Sequence, residues 1–317
     1  MSSGPMHILA GDIGGTNTRL VLYAVADATS SPQRGQSPPG EQVYLSKYAN
    51  EDHTSFVDVV RKFMAAAEVD PSSVAVAALA VAGPVDDGRA VLSNLESWCF
   101  AEDVLETELG IAKVLLANDF LALGYGLLTL GDSDLLTLQD VAPRPGAPIA
   151  CVGAGTGLGE CFLAAAGPDA DYVAFPSEGG HAEFAPRNEL ELEMLAFLKD
   201  RFSEKNRISV ERVVSGPGLA NIYDFLRAKF PHAVCDAADA RILAADAQRG
   251  ALIAEAAAEG DELCSRALDI LFSAYGSEVG VAALKWLPYG GLYVAGGLAP
   301  KNINRIRGET EFPSTLS

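Results

Sequence analysis

Basic residues are scarce in this 317-residue chain, which has 23 Lys+Arg against 42 Asp+Glu and a formal net charge of −19 at pH 7. Such an acidic chain repels phosphate-rich polymers and anionic lipids, so we expect no nucleic-acid partner and no membrane partner. A small phosphate group would have to be held locally, by backbone amides or by a bound cation.

Long apolar runs and targeting signals are also lacking. The longest run of small apolar residues, 74–82, falls far short of the roughly 20 residues that cross a bilayer. Residues 1–5 have neither a basic region nor an apolar core, and residues 314–317 do not form a peroxisomal signal. The sequence therefore predicts a cytoplasmic protein without a transmembrane segment.

Clustered cysteines are absent too. The chain has an odd number of cysteines, with no CxxC pair: Cys99, Cys151, Cys161, Cys235 and Cys264. This spacing argues against a disulfide framework and favours buried apolar thiols or incidental surface thiols in a reducing compartment.

Apolar residues are plentiful, at 49% of the chain, and at roughly 150 residues per domain the length suggests about two domains. Strand-like runs at 74–81 and 114–117 alternate with a helical pattern at 56–67, which indicates an α/β protein. We place a smaller N-terminal α/β domain at 1–117 and a larger C-terminal one at 118–317, and leave open a return of the chain's end to the first domain. Other predicted elements are an exposed loop at 28–40, a helix at about 120–128, helices at 190–202, 219–229 and 268–286, a helical Ala-rich stretch at 237–264, and strand-like segments at 208–210 and 290–297.

Two glycine-rich turns, each between two strand-like runs, carry the first functional signal. One spans 11–17 and the other 153–159, and Gly15 falls on Gly155 when the chain is shifted by 155 − 15 = 140 positions. We interpret this as a weak internal duplication. Glycine lets backbone N–H groups converge on an oxyanion, so the pair favours a nucleotide clamp, although each turn alone could be a tight hairpin. Only the first turn has an adjacent carboxylate, Asp12.

The remaining polar candidates suit phosphoryl transfer to a sugar. Asp119 follows a buried strand and could accept a proton from a hydroxyl, although an aspartate there could also be a helix N-cap. Asn118, Glu178, His181 and Glu211 could bind a polyhydroxyl sugar, while a surface charge is the alternative for Glu211. For His181, hydrogen bonding is favoured over metal binding because no cysteine cluster or second histidine is nearby.

Six ordered segments together resemble the bacterial-type glucokinase family, in the sugar kinase/Hsp70/actin superfamily. They are 11–17 (GDIGGTN), 117–120 (ANDF), 153–159 (GAGTGLG), 177–181 (SEGGH) with 184–186 (FAP), 211–218 (ERVVSGPG) and 295–301 (AGGLAPK). The resemblance implies a two-domain actin-like ATPase (ribonuclease H-like) fold with a cleft between the domains. It also implies transfer of the γ-phosphate of ATP to the 6-hydroxyl of glucose, with Mg²⁺, and a homodimer.

The resemblance assigns roles to individual residues. Asp119 would be the general base, and Asn118, Glu178, His181 and Glu211 would bind the sugar beside Gly83 and Pro84. Asp12 would reach Mg²⁺ through water. The implied nucleotide-binding residues are Gly11, Asp12, Ile13, Gly14, Gly15, Thr16, Gly153, Gly155, Thr156, Gly157, Ser215, Gly216, Gly296 and Gly297.

One segment departs from the family pattern. Residues 302–317 are short, polar and unlike the helical continuation that the resemblance leads us to expect. Two hypotheses follow: an active glucokinase, or a truncated non-catalytic protein of the same fold that binds or senses sugar.

Overall fold

A computed structural model describes residues 6–25, 35–36, 40–92, 95, 97–167, 170–203, 206–246 and 248–308. Most of the predicted loop at 28–40 and the last part of the polar tail, 309–317, lie outside the described residues. The chain forms two compact units, Met1–Thr137 and Leu138–Ser317.

The first unit is built on a five-stranded sheet. The strands of the five-stranded sheet are β1 (Met6–Ile13), β2 (Asn17–Val25), β3 (Glu41–Ala49), β4 (Val74–Val81) and β8 (Val114–Asn118). Three short strands form a separate small sheet: β5 (Val85–Asp86), β6 (Arg89–Ala90) and β7 (Phe100–Ala101). Its helices are α1 (Phe56–Ala67), α2 (Glu102–Leu109) and α3 (Asp119–Leu127). The main sheet has the order β3-β2-β1-β4-β8, in which β4 is parallel to β1 and β8, and β2 is antiparallel to β1 and β3.

Helix α1 and strand β4 have the bounds that the sequence predicts. Ser55 caps α1 because its side chain accepts a hydrogen bond from Asp58 N at 3.1 Å. The apolar stripe of α1, which includes Phe56 and Phe63, is buried with β4 in the core of this unit. Periodicity and a local cap thus suffice to define these elements.

The second unit has a four-stranded sheet covered by helices. Its strands are β9 (Ile149–Ala154), β10 (Leu158–Ala164), β11 (Val173–Ser177) and β12 (Gly291–Ala295). Its helices are α4 (Glu189–Arg201), α5 (Gly216–Lys229), α6 (Asp236–Leu243), α7 (Arg249–Ala258), α8 (Glu262–Trp286), α9 (Leu298–Lys301) and α10 (Ile303–Ile306). Helices α5, α7 and α8 pack together over a core that includes Ile222, Leu226 and Leu271.

The two sheets repeat one arrangement, which agrees with the predicted duplication. In the second unit the order is β11-β10-β9-β12, with β10 antiparallel to β9 and β11, and β12 parallel to β9. Strands β3, β2, β1 and β4 have the same order and the same directions. Each glycine-rich segment therefore joins the two strands of a hairpin, β1 with β2 and β9 with β10, and the two hairpins hold corresponding positions in their sheets.

Two predicted elements differ from the structure. The Ala-rich stretch at 237–264 is helical as predicted but not continuous: one break separates α6, which ends at Leu243, from α7, which begins at Arg249. A second break separates α7 from α8, because Gly260 adopts a positive φ of 99° and Asp261 starts a new helix by accepting from Cys264 N at 2.8 Å. The segment at 208–210 is not a strand: Ser209 forms an isolated bridge with Glu183, and a 3-10 turn follows at Val210–Arg212.

The division between the units also has a structural reason. The sequence prediction placed it after Ala117, whereas the contacts place it after Thr137, because α3 packs on β4 and β8 of the first unit. After β12, the described residues pack on the second unit, with Leu298 and Ile306 against its core.

Helix α8 is long and apolar enough to cross a membrane by length and composition alone. Many of its residues, including Leu263, Ala267 and Leu271, are buried in the core of the second unit. That burial is typical of the central helix of a folded unit rather than of a lipid-facing one.

Candidate active site

The first glycine-rich segment divides between a strand and a turn. Gly11, Asp12 and Ile13 belong to β1, and the side chain of Ile13 is buried in the core. A Cβ on Gly11 would lie 2.8 Å from Leu79 Cδ2, so this glycine serves packing within the unit. The turn itself is made by Gly14, Gly15 and Thr16, and it is closed by a hydrogen bond from Gly14 N to the Asn17 carbonyl at 2.9 Å.

A residue that sequence reasoning missed, Asn50, braces this turn. Asn50 is only 3% exposed; its Nδ2 donates to the Gly14 carbonyl and its Oδ1 accepts from Thr18 Oγ1, both at 2.8 Å. Its backbone N donates to the Thr16 carbonyl at 2.9 Å. Three hydrogen bonds from one residue therefore hold the turn in one conformation. No local pattern reveals this role, because Asn50 lies more than 30 positions beyond the turn.

Asn118 and Asp119 lie where β8 passes into α3. Asn118, not Asp119, is the N-cap: its Oδ1 accepts from Phe120 N at 2.9 Å and from Leu121 N at 3.2 Å. Its Nδ2 donates to the Gly83 carbonyl at 3.1 Å, which ties the predicted sugar wall to the strand end. Asp119 is the first helical residue, and its Oδ1 accepts from Phe120 N at 2.9 Å. The N-cap alternative for Asp119 is therefore wrong, and its carboxylate is half-buried at the carboxyl end of a parallel strand.

The second glycine turn is joined to the start of helix α5. Gly155 N donates to the Gly157 carbonyl, and Gly216 N donates to the Gly155 carbonyl, each at 2.8 Å. Ser215 is the N-cap of α5: its hydroxyl accepts from Gly218 N at 2.9 Å and donates to the Glu211 carbonyl at 2.8 Å. The positive end of a 14-residue helix thus lies beside the turn, an arrangement that suits an anion.

The other predicted nucleotide residues of this unit lie at the same end of the sheet. Gly153 is inside β9, opposite Gly159 and beside Ala295, while Thr156 is exposed at the tip of the turn. Gly296 has a φ of 78°, and a Cβ there would overlap the Ala154 carbonyl, so only glycine allows β12 to end this close to β9. Gly297 is exposed and precedes α9.

Tyr275 is a second bracing residue that the sequence did not reveal. Its hydroxyl accepts from Ala154 N at 3.1 Å and lies 3.1 Å from the Val152 carbonyl and 3.0 Å from the Ala295 carbonyl. Burial raises the pKa of this phenol, so the hydroxyl stays protonated. Tyr275 of α8 therefore fastens together the ends of β9 and β12 beside the glycine turn.

Three of the four predicted sugar residues come together in the second unit. His181 Nε2 lies 3.7 Å from Glu178 Oε2, and His181 Nδ1 lies 4.0 Å from Glu211 Oε1. Glu211 Oε2 accepts from Leu158 N at 2.9 Å, and a Cβ on Gly157 would lie 2.6 Å from the same oxygen. Glu211 thus lies directly against the second glycine turn, His181 lies beside Glu211, and Glu178 lies beside His181. The fourth residue, Asn118, belongs to the first unit with Asp119.

The metal-binding side chains near the glycine turns suit magnesium only in combination with phosphate. Asp12 presents an exposed carboxylate two positions before the first turn, and no group of three or more metal-binding side chains occurs in the described ranges. Mg²⁺ prefers oxygen ligands and is commonly held by one or two carboxylates, substrate phosphates and water. One carboxylate beside a glycine turn that is predicted to bind phosphate fits that pattern.

The repeated hairpin sheets and the polar cluster at the second turn define a class of protein: the fold is the actin-like ATPase fold of the sugar kinases. A glucokinase from an Antarctic psychrotroph has this fold, with a TM-score of 0.73 and 28% identity over 95% of this chain and 86% of that one. The glucokinase of Balamuthia mandrillaris, crystallised with glucose, shares the fold alone, with a TM-score of 0.70 and 22% identity over 97% of this chain and 86% of that one.

Sequence comparison identifies the family. The chain matches the glucokinase family model over residues 9–316. It is 44% identical over 304 residues to the glucokinase of Nostoc sp., an alignment that covers 93% of this chain and 85% of that protein. It is 43% identical over 318 residues to the glucokinase of Synechocystis sp., covering 96% and 87%. This chain belongs to the glucokinase family. The matched range includes most of the polar tail, 302–317, whose residues by themselves look unlike the family pattern.

Proposed function

We propose that this protein is an ATP-dependent glucokinase, which transfers the γ-phosphate of ATP to the 6-hydroxyl of glucose and yields glucose 6-phosphate. The observation that carries the proposal is the cluster of Glu178, His181 and Glu211, which Glu211 joins to the second glycine turn, in a chain of the glucokinase family. Glucose is an uncharged polyhydroxyl, and carboxylates and imidazole are suitable acceptors for its hydroxyl protons.

Sugar recognition belongs to four side chains. Glu178 and His181 present exposed polar atoms, and Glu211 is held by its bond to Leu158 N, so its second oxygen can accept a sugar hydroxyl. Asn118 is fixed by its bonds to Phe120 N and the Gly83 carbonyl, and its second amide proton can be donated to the sugar. A sugar that lacks one of these hydroxyls would leave a polar group unpaired, which is the basis of selectivity.

Asp119 would be the base in the transfer. Its carboxylate accepts the proton of the 6-hydroxyl while that oxygen forms a bond to the γ-phosphorus and the bond to the β-phosphate oxygen breaks. Strand β8 fixes the backbone before Asp119, and the bonds from Phe120 N and Leu121 N to Asn118 Oδ1 fix the backbone after it. Because Asp119 Oδ1 also accepts from Phe120 N, the carboxylate keeps its orientation.

Phosphate would be held by backbone amides of the two glycine turns, and the positive end of α5 beside the second turn would favour the negative charge. These local groups are needed because the net charge of −19 disfavours an anionic nucleotide. Asp12 would hold Mg²⁺ through water, and the ion when bound would neutralise charge on the β- and γ-phosphates. Ser215, Gly216, Gly296 and Gly297 would flank the adenosine.

The test is a coupled assay for glucose 6-phosphate with ATP, Mg²⁺ and glucose, together with thermal melting in the presence of glucose. Asp119→Ala should lower kcat on the order of 10²- to 10⁴-fold and keep the glucose-dependent rise in Tm. Asp103→Ala, which removes an exposed partner of Arg89, is the matched control and should retain activity. Equal loss of turnover and glucose binding would refute the role of Asp119 as base. A rise in Tm without turnover by the wild-type protein would favour the sugar-binding, non-catalytic alternative.

We also propose a homodimer and a cytoplasmic location. Large apolar side chains are exposed around the end of α8, where Leu284 is 79% exposed and Leu287 and Tyr289 are exposed as well. All five cysteines are free thiols, which suits a reducing compartment. Sedimentation equilibrium at micromolar concentration tests the dimer, and a monomeric mass there would contradict it.

A further inference from the structure

A buried carboxyl, Glu160, lies directly beneath the turn that carries two of the proposed sugar ligands. Glu160 is 1% exposed, and on β10 it pairs with Ser177, the last residue of β11 before Glu178. A Cβ on Gly179 would overlap Glu160 Oε2, so the carboxyl packs against the backbone of the turn. Ser177 Oγ accepts from Gly179 N at 3.0 Å on the same side.

The close approach accounts for both glycines of the turn. A side chain on Gly179 would meet Glu160, and one on Gly180 would meet the Leu158 carbonyl. The 3-10 turn Gly179–His181 therefore lies flat on the start of β10, and His181 N closes it by donating to the Glu178 carbonyl at 2.9 Å. A change in the charge or position of the Glu160 carboxyl beneath this turn would therefore shift the side chains of Glu178 and His181 at its two ends.

Glu160 interacts with a second buried carboxyl, Glu278 of α8, which is 8% exposed. Oxygen Oε1 of Glu160 is buried and lacks a hydrogen-bond partner among the described residues unless a proton is present between the two carboxyls. Two carboxylates in one buried site cannot both ionise without a large cost, and a shared proton removes the repulsion and satisfies the oxygen.

The electrostatics agree with this geometry. Burial, and next the charge of Glu278, raise the pKa of Glu160 to about 7, while Lys285 opposes the shift. The neutral form of Glu160 therefore predominates below neutrality. The titratable and charged groups around it are Glu278 and Lys285 of α8, Cys161 of its own strand with Cys151 of β9, and Glu178 and His181 of the turn.

We propose that Glu160, by sharing a proton with Glu278, is a positioning residue that holds the Gly179–His181 turn, and that ionisation of this pair weakens glucose binding. The inference rests on the proposed function, since it takes Glu178 and His181 as sugar ligands. Neither Glu160 nor Glu278 contacts the sugar; both act through the backbone of the turn.

The central test compares the wild-type protein with Glu160→Gln, whose amide keeps the shape and remains neutral at every pH. Isothermal titration with glucose between pH 6 and pH 9 gives Kd, and steady-state kinetics give KM and kcat. For the wild type, Kd and KM should rise several-fold above pH 7, at most about tenfold per pH unit. For Glu160→Gln both should stay nearly constant, and kcat at saturating glucose should keep the wild-type pH dependence.

Two further variants complete the design. Glu278→Gln removes the like charge, so the rise in Kd should begin at lower pH than in the wild type. Glu255→Gln changes an exposed glutamate of α7 and should follow the wild-type curve. Infrared difference spectra should show a protonated carboxyl band that is present at pH 6, lost at pH 9 and absent in Glu160→Gln.

The outcomes separate this inference from the function itself. If wild-type protein and Glu160→Gln have the same pH profile for Kd, the positioning role is overturned while the glucokinase activity stands. If the wild-type protein binds no glucose at any pH, both proposals fall, because the turn is then not a sugar site. If Glu160→Gln melts early, Glu278→Gln still tests the pair through the shift of its pH profile.

Discussion

Glu211 shows how one side chain can serve two parts of a site. One carboxylate oxygen accepts from Leu158 N at the second glycine turn, and the other lies 4.0 Å from His181 Nδ1. Movement of the turn would therefore move Glu211, and with it the sugar cluster. At this scale the chemistry depends on which atoms are already used within the fold and which remain available to a substrate.

Glu178 differs from Glu211 because its side chain is exposed, with His181 as its neighbour at 3.7 Å. We expect Glu178→Gln to weaken glucose binding by about tenfold or more, since a hydrogen bond to a charged group contributes about 1.5–3 kcal/mol. kcat should change much less, because the substitution leaves Asp119 in place. Calorimetric titration with glucose measures the effect.

Glu189→Gln, on the exposed start of α4, is the control for this substitution and should bind glucose as the wild type does. An unchanged Kd in Glu178→Gln would remove Glu178 from the sugar site.

At the scale of elements, each glycine turn is held by a residue from a distant part of its own unit. Asn50 follows β3 and bonds to the turn after β1, while Tyr275 lies in the middle of α8 and bonds to the end of β9. Glycine permits the turn, and the brace selects one conformation of it. The duplicated hairpin therefore has a different support in each copy.

Asn50→Ala tests this support in the first unit. The substitution leaves the Gly14 carbonyl and the Thr18 hydroxyl unpaired, at a cost of about 1–3 kcal/mol for each buried group. KM for ATP should rise, because the turn proposed to hold phosphate loses its fixed shape, and Kd for glucose should change little. Steady-state kinetics with varied ATP, alongside glucose titration, measure the two effects.

Asn50→Asp separates the two bonds, since a carboxylate still accepts from Thr18 but does not donate to Gly14. It should raise KM for ATP as Asn50→Ala does. Parallel losses of ATP and glucose affinity in both variants would indicate general destabilisation instead of a role at the turn.

At the scale of the whole molecule, Glu160 makes stability depend on pH. Its pKa rises from 4.5 in the unfolded chain to about 7 in the folded protein, so the folded state retains the proton to higher pH. The stability it contributes is fully present below pH 4.5 and is lost as the pH rises through 7, with a magnitude of about 3 kcal/mol. Glu160→Gln should remove this part of the pH dependence.

Urea unfolding at pH 5 and pH 8 measures this effect. The chain has two tryptophans, Trp98 in the first unit and Trp286 in the second, so a Trp98→Phe background lets fluorescence report on the second unit alone. Within that background, the same pH slope with and without the Glu160→Gln substitution would contradict the prediction.

Much of this molecule follows from local sequence. Apolar periodicity and a serine cap define α1, an apolar run defines β4, and paired glycine turns at an interval of 140 predict two similar hairpins. The candidate residues Asp119, Glu178 and His181 were predicted from sequence because each lies at the end of a strand or in a glycine-loosened turn, and Glu211 was predicted because it follows a segment that looks strand-like. Their chemistry is visible in the residue types themselves.

Tertiary structure decided the rest. Asn118 rather than Asp119 became the helix cap, and the Ala-rich stretch was divided into three helices, with one of the breaks at Gly260. Asn50, Tyr275 and Glu160 gained roles that no motif signals. The physical reason is distance along the chain: propensities and turn chemistry act over a few residues, whereas a brace or a shared proton depends on groups that only folding brings together. Tyr275 and Ala154 are 121 positions apart, and Glu160 and Glu278 meet only because α8 packs over the sheet.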